Sequence, residues 1–207
     1  TVDEVKRMFE ISKDDAMDHA LVKILYYTQL RRREAANLNL DDIDWERQKI
    51  RVNKGKGNRY DVINIHPDAL EAVKQYLPHR RKPKTGYERA LFINRYRTRI
   101  GKMGIHFAVK RVAANANIKK RVYPHLFRIS SITHMAENGA TMPEIQKQSR
   151  HRDLDTLQGY IQIADEHAKK IYLKTIPTFD RETPEKKFPE RNMSNLLLQK
   201  LIRGGNL

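Results

Sequence analysis

The sequence predicts a mainly α-helical domain carrying a small antiparallel β-sheet at one edge, an α+β fold. Apolar residues recur at helical spacing in several long stretches, which argues for amphipathic helices. One pair of short segments alternates apolar and polar residues on either side of a turn rich in Lys, Gly and Asn, which argues for a β-hairpin. A chain of 207 residues is ample for one large core or two small ones. No internal repeat or low-complexity segment interrupts the pattern.

Residues 3–10 form a short charged helix candidate. Residues 12–15 have the Ser-x-x-Asp form of a capping box, and Met17, Ala20, Leu21, Ile24 and Leu25 follow at helical spacing, so a core helix runs to about Thr28. Arg31, Arg32 and Arg33 come directly after it; a triple arginine is ordinarily a solvated face or a phosphate contact. Ile50 and Val52, then Ile63 and Ile65, give the hairpin one apolar face, with Lys56 at or near its tip. By itself a lysine between two glycines is a wet turn, and the phosphate-loop pattern G-x-x-x-x-G-K-[ST] is not met. Residues 67–77 read as a helix with a proline near its start. The basic loop 79–89 reads as a mobile surface loop, with a DNA-backbone contact as the alternative, and 91–93 as a third short strand. Ile105, Ala108, Val109, Val112, Ala113 and Ala116 define another amphipathic helix. Pro124, Leu126, Ile129, Ile132, Ala136 and Gly139 read as one helix with a proline start and a glycine stop. Asp153 is a candidate N-cap ahead of a fresh stripe of Leu154, Leu157 and Ile161, and 165–173 is helical. Residues 176–191 carry three prolines and no apolar period, which makes them a linker. Met193, Leu196, Leu197, Leu198, Leu201 and Ile202 give a final amphipathic helix that Gly204 and Gly205 stop.

With 41 Lys and Arg against 25 Asp and Glu, the net charge is +16, and the pI is about 10.0. Such a balance points to a polyanionic partner, because each phosphate neutralised by Lys or Arg releases condensed counterions. The absence of cysteine excludes disulfides, a thiolate nucleophile and a Cys-based zinc site. No apolar run has the length of a membrane span or the form of an export signal. The expected location is therefore cytoplasmic. Thr1 is not an initiator Met, and the expectation is a fragment that a further domain precedes.

Residues 124–160 hold four chemically capable side chains: His125, Arg128, His151 and Tyr160. His125 and Arg128 are three apart, so on one helix they point within about 60° of each other. By the helical count His125 falls near the middle of the apolar stripe and Arg128 at its edge. His151 and Tyr160 are nine apart and would face roughly opposite ways on one continuous helix, so a break at Asp153 puts Tyr160 on a separate short helix. Each residue also has a bland reading. His125 and His134 suit a satisfied core histidine, His151 between Arg150 and Arg152 suits a basic surface, and Tyr160 suits an extension of the Leu154, Leu157 and Ile161 stripe. A zinc site is not indicated, since no His-x-x-x-His occurs with a carboxylate at ligand spacing.

His-x-x-Arg, a later His and a Tyr nine residues beyond it together resemble the C-terminal half of the tyrosine recombinase (lambda-integrase type) catalytic domain. The stretch TQLRRRE places Arg31 where that family has its first catalytic arginine, in a Gly-Leu-Arg-x-x-Glu box whose Glu34 is set to pair with and orient it. Lys56, in NKGKGNRY, sits where the family has its hairpin lysine. The six positions follow the family order over about 130 residues. Three departures stand out. Gln29 replaces the first glycine of the box, Ser149 and Arg150 replace the usual Leu-Gly before the second histidine, and Ile129 stands where a further histidine often follows the arginine.

The resemblance implies the tyrosine recombinase catalytic-domain fold and site-specific breaking and rejoining of double-stranded DNA. Tyr160 would form a 3′-phosphotyrosyl link and free a 5′-hydroxyl, which then attacks the partner duplex through a Holliday junction. Arg31 and Arg128 would hold the non-bridging oxygens, a task that suits guanidinium because it binds phosphate bidentately and stays charged. Lys56 would be the general acid at the 5′-oxygen, His125 a proton acceptor or phosphate ligand, and His151 a hydrogen-bond donor to phosphate. No cofactor, metal or ATP is implied. The partners implied are DNA bearing a recombination site and further copies of the chain in a tetrameric synapse. The implied layout is a catalytic domain over 1–175, a linker over 176–191 and a C-terminal helix over 192–207 that packs in trans, with the family's N-terminal core-binding domain absent. Two rivals share features: a type IB topoisomerase, disfavoured by His151 nine residues before the tyrosine and by the short domain, and a DNA-binding module without catalysis.

Overall fold

The computed structural model describes residues 1–53 and 60–150. These contain helices α1 (Val2–Ser12), α2 (Ala16–Thr28) and α3 (Arg32–Asn37), strands β1 (Ile43–Asp44), β2 (Lys49–Asn53) and β3 (Tyr60–Asn64), and helices α4 (Pro67–Tyr76), α5 (Lys102–Asn115), α6 (Pro124–Glu137) and α7 (Met142–Ser149). The mainly helical class with a small antiparallel sheet is as the sequence predicts. Lys56, His151 and Tyr160, the segments read as helices beyond 150, the linker and the C-terminal helix lie outside the described residues.

Helix α2 is the spine of the fold. Ala20, Leu21, Val22, Ile24 and Leu25 are all fully buried, so the helix is enclosed nearly all round, as its apolar sequence demands. It packs against α1, α4, α5 and α6. Its N-cap is Asp15, whose carboxylate accepts the Asp18 N–H at 2.9 Å. The Ser-x-x-Asp pattern had placed the cap at Ser12, three residues early. Ser12 instead ends α1, and its buried hydroxyl lies 2.8 Å from both the Phe9 carbonyl and His19 Nδ1. A hydroxyl bonded back to its own helix is not free to cap the next one. Asp18 is also buried, and Arg111 on α5 reaches it with Nε at 2.9 Å and Nη2 at 2.7 Å, tying α5 across α2.

The sheet has the order β1-β2-β3, with Ile50 opposite Ile63 and Arg51 opposite Val62. Ile50, Val52 and Ile63 are buried, while Lys49, Arg51, Asn53 and Tyr60 face outward, the two-residue alternation of a sheet with one packed face. The third strand is β1, not residues 91–93. Leu91, Phe92 and Ile93 are buried in succession, so no face of that segment is left to solvent. It is an extended connection through the core, held by the Leu91 N–H to the Leu38 carbonyl at 2.9 Å and by an isolated bridge between Ile93 and Arg99. The basic loop before it is tied down rather than loose. Arg80 donates to the carbonyls of Glu88 and Ala90 at 2.8 and 2.7 Å, and Arg97 Nε donates to the Lys82 carbonyl at 2.9 Å.

The Asp18–Arg111 pair carries the first test. Burial raises the Asp18 carboxyl above its ordinary value, against the opposing pull of Arg111. Arg111→Ala leaves a buried carboxylate without its partner and is expected to cost about 3 kcal/mol at pH 7 in denaturant unfolding. A carboxyl with a raised folded pKa favours the folded state when protonated, so the loss should shrink as the pH falls below that pKa. An equal cost at pH 7 and pH 4 would contradict the assignment.

Candidate active site

Helix α6 begins with Pro124 as its first residue, and Gly139 at φ 86° closes its end, with Gly139 N–H donating to the Ala136 carbonyl and Ala140 N–H to the Met135 carbonyl. Its buried residues are Pro124, Phe127, Arg128, Ser131, Ile132, His134 and Ala136. Arg128 is only 1% exposed, whereas His125 is exposed, the reverse of the placement expected from the apolar stripe. A count of apolar residues misplaces the face because three of its members, Arg128, Ser131 and His134, are polar.

What makes a buried guanidinium possible is two helix ends. Arg128 Nη1 donates to the Gln29 carbonyl at 2.5 Å, and Nη2 to the Ser149 carbonyl at 2.6 Å. Gln29 is the C-cap of α2 and Ser149 the last residue of α7. The final carbonyls of a helix lack intrahelical partners and carry its partial negative charge, so both ends suit a cation. At both ends the cap residue is left-handed: Gln29 at φ 55°, ψ 25° and Arg150 at φ 59°, ψ 36°. These are the two positions where the resembled family has glycine, which enters that region without a Cβ clash. Here each side chain is used instead. Gln29 Nε2 donates to Ser131 Oγ at 3.1 Å and lies 2.9 Å from Met135 Sδ, fastening α2 to α6.

Arg150 turns towards α3. Its Nη1 and Nη2 donate to Glu34 Oε1 and Oε2 at 3.1 and 2.7 Å, with its side chain 9% exposed. Glu34 also accepts from Arg31, from the backbone N–H at 2.7 Å and from Nη1 at 3.2 Å. The expected Arg31–Glu34 pair is therefore present, but Arg150 is the better-buried partner. Burial alone would raise the Glu34 carboxyl; the hydrogen bonds from Arg150 and the Arg31 backbone, with the charges of both arginines, hold it below the usual carboxylate value. The Arg31 side chain is half-exposed at the start of α3. Beside it runs an open groove of about 1090 Å³, lined among others by Arg33, Arg51, Lys147, Arg150 and Tyr60.

Arg31 and Arg128 come from two separate parts of the chain, and the charges of both reach His125. Partial burial, then the charges of Arg128 and Arg31, push the His125 imidazole below its ordinary pKa, which favours the neutral, proton-accepting form. His134 takes the core role expected of it: it is buried, with Nδ1 2.8 Å from the Tyr26 hydroxyl. Lys56, His151 and Tyr160 are not among the residues described; in sequence Lys56 lies between β2 and β3, and His151 directly follows Arg150. Two contributors escaped sequence reasoning, the Gln29 and Ser149 carbonyls that hold Arg128. The signal for both was the pair of missing glycines, since a glycine after a helix marks a left-handed cap. Helix α7 was also missed, although Thr141 and Glu144 form a capping box with Pro143 in its first turn. Among the described residues no three His, Asp or Glu side chains converge so as to hold a metal ion, and no helix is long and apolar enough to cross a membrane.

Residues 1–167 match the phage integrase family. The chain is 30% identical over 183 residues to tyrosine recombinase XerC of Listeria monocytogenes serotype 4a (strain HCC23), covering 84% of this chain and 61% of the relative. It is 32% identical over 191 residues to tyrosine recombinase XerD of Bifidobacterium longum (strain NCC 2705), covering 86% and 62%. The chain therefore spans about three-fifths of the length of these relatives. In structure it resembles the XerA recombinase crystal structure, with TM-score 0.75, 28% identity, and 86% of this chain and 65% of that one covered. The same fold recurs in the XerH site-specific recombinase bound to a palindromic difH substrate, with TM-score 0.70, 21% identity, and 82% and 50% covered.

The grouping of His125 with two arginines can be tested in solution. In a histidine NMR titration of the whole chain, His125 should titrate below the ordinary imidazole value, and Arg31→Gln should move it partway back up, since removal of a cation eases protonation. A His125 that titrates as a free imidazole in the unaltered chain would contradict the arrangement.

Proposed function

The chain belongs to the phage integrase family, and on that premise we propose that it is a site-specific DNA recombinase of the tyrosine type, which cuts and rejoins double-stranded DNA through a 3′-phosphotyrosyl intermediate and a Holliday junction. The observation that carries the reading is Arg128 locked between two helix ends, with Arg31 half-exposed beside a basic groove; His125, on the same helix as Arg128, has its proton affinity lowered by partial burial and then by the charges of both arginines. Two cations with a neutral imidazole suit a phosphodiester that gains charge in its transition state. The net charge of +16 and the DNA-bound structure of a recombinase with the same fold support DNA as the partner.

The Tyr160 phenol oxygen attacks the phosphorus and loses its proton, with His125 as acceptor. The bond from phosphorus to the 5′-oxygen breaks, and Lys56 gives that oxygen a proton, so that a 5′-hydroxyl leaves. Arg31, Arg128 and His151 hold the non-bridging oxygens. The phosphotyrosyl bond keeps the energy of the original linkage, so a 5′-hydroxyl from a partner duplex can reverse the step and reseal the strand. On the sequence pattern, residues 1–175 form the catalytic domain, 176–191 a linker and 192–207 a helix that docks in trans on a neighbouring copy within a tetrameric synapse.

Incubation with a nicked DNA that carries the cognate site should give a covalent protein–DNA adduct on a denaturing gel. The adduct should be insensitive to a chelator and absent from Tyr160→Phe; an adduct that persists in that variant would place the nucleophile elsewhere. Arg31→Ala should cut cleavage by about 10²- to 10³-fold, the scale of one lost transition-state donor. A 5′-bridging phosphorothioate, whose leaving group needs no proton, should rescue Lys56→Ala and not Arg31→Ala. The opposite pattern would overturn the acid assignment.

A further inference from the structure

We propose that Arg150 is a positioning residue for the phosphate-binding Arg31, acting through Glu34; the inference rests on the catalytic reading of Arg31 given above. Three observations lead to it. Arg150 adopts a left-handed backbone, φ 59° and ψ 36°, that a side chain disfavours. It takes up this conformation where the resembled family has glycine, so a side chain is present at a site where none is needed for the turn. And that side chain is 9% exposed and spends both terminal nitrogens on one carboxylate, in the fork-to-fork geometry that fixes orientation as well as charge.

The carboxylate so held is the one that Arg31 depends on. Glu34 Oε2 receives both Arg150 Nη2 and the Arg31 backbone N–H at 2.7 Å, and Oε1 receives Arg150 Nη1 at 3.1 Å and Arg31 Nη1 at 3.2 Å. Arg31 donates to it from a half-exposed side chain, and an exposed ion pair three residues apart on one helix gives little orientation by itself. With Arg150 bonded to both of its oxygens, the Glu34 carboxylate is held in the orientation in which it meets Arg31. The clamp also joins the start of α3 to the residue after α7, and the residue before Arg150 supplies the carbonyl that holds Arg128. The two phosphate-binding arginines are thereby referenced to one point in the backbone, with Arg150 as the link on the Arg31 side.

Arg150→Gly tests this cleanly, because glycine accepts the left-handed turn and keeps the backbone while it removes the fork. Expected in the full chain is a fall of about tenfold or more in single-turnover cleavage at saturating nicked DNA, with DNA affinity little changed. Arg150→Lys, which retains the charge but not the fork, should fall between the two. In an Arg31→Ala background Arg150→Gly should cost nothing further, since the pathway it acts through is gone. An independent reading comes from His125, which feels the charges of Arg128 and Arg31: Arg150→Gly should shift its NMR titration upward, in the direction of Arg31→Gln. An unchanged cleavage rate and His125 titration, or a further full loss in the Arg31→Ala background, would overturn the proposal. If the unaltered chain forms no adduct, the catalytic reading fails, and the His125 titration still decides whether Arg150 positions Arg31.

Discussion

A guanidinium buried to 1% exposure is the constraint on which this structure turns. Arg128 cannot shed its proton, so its donors must meet acceptors inside the protein, or the buried charge would outweigh the packing around it. The acceptors are backbone carbonyls, and carbonyls are free for such use at helix C-termini. It follows that α2 and α7 must both end beside the middle of α6, and that both must end abruptly. The left-handed caps at Gln29 and Arg150 achieve the stop, and the Gln29–Ser131 and Arg150–Glu34 contacts hold the stopped ends in place. The enclosed spine of α2, the Asp15 cap at its start and the Arg111 tie across it then fix where its C-terminal carbonyl arrives.

The two arginines attributed to phosphate binding are held in unlike ways. Arg128 is a buried fixture whose two terminal nitrogens are already engaged by backbone, so its charge is preset in place. Arg31 stands half in solvent and shares a carboxylate with Arg150, so its direction rests on the state of Glu34. Because Glu34 is held ionised below the usual carboxylate range, that direction is insensitive to pH near neutrality.

Much of this was legible in the sequence, and the reasons for the exceptions are physical. Helices with one clean apolar face, such as α5 with Ile105, Val109 and Val112, read off directly from their spacing. So did the hairpin, from Ile50, Val52 and Ile63. Residues 91–93 misled because a continuous apolar run signals burial, which is real, without signalling a ladder partner. Helix α6 misled about which way it faces because a face that buries Arg128 and Ser131 is not recognised by apolarity. The family motif nominated Arg31, His125 and Arg128 for one site. It could not show that the Arg128 partners are main-chain carbonyls, which leave no trace in side-chain identity. The two absent glycines were the only sequence mark of the caps, and they mark them by contrast.

The hydrogen bond from Arg128 to the Gln29 carbonyl closes a loop of 99 residues. Contacts of such separation form late, because the closure entropy must be met before the contact repays it. On a ribosome α2 emerges long before α6, so its C-terminal carbonyl waits without a cation while most of the domain is still to be made. A chain interrupted between residues 31 and 128 has Arg31 but no second arginine from α6. The arrangement ties the pairing of the two arginines to near-completion of the domain, so an unfinished chain holds at most one of them.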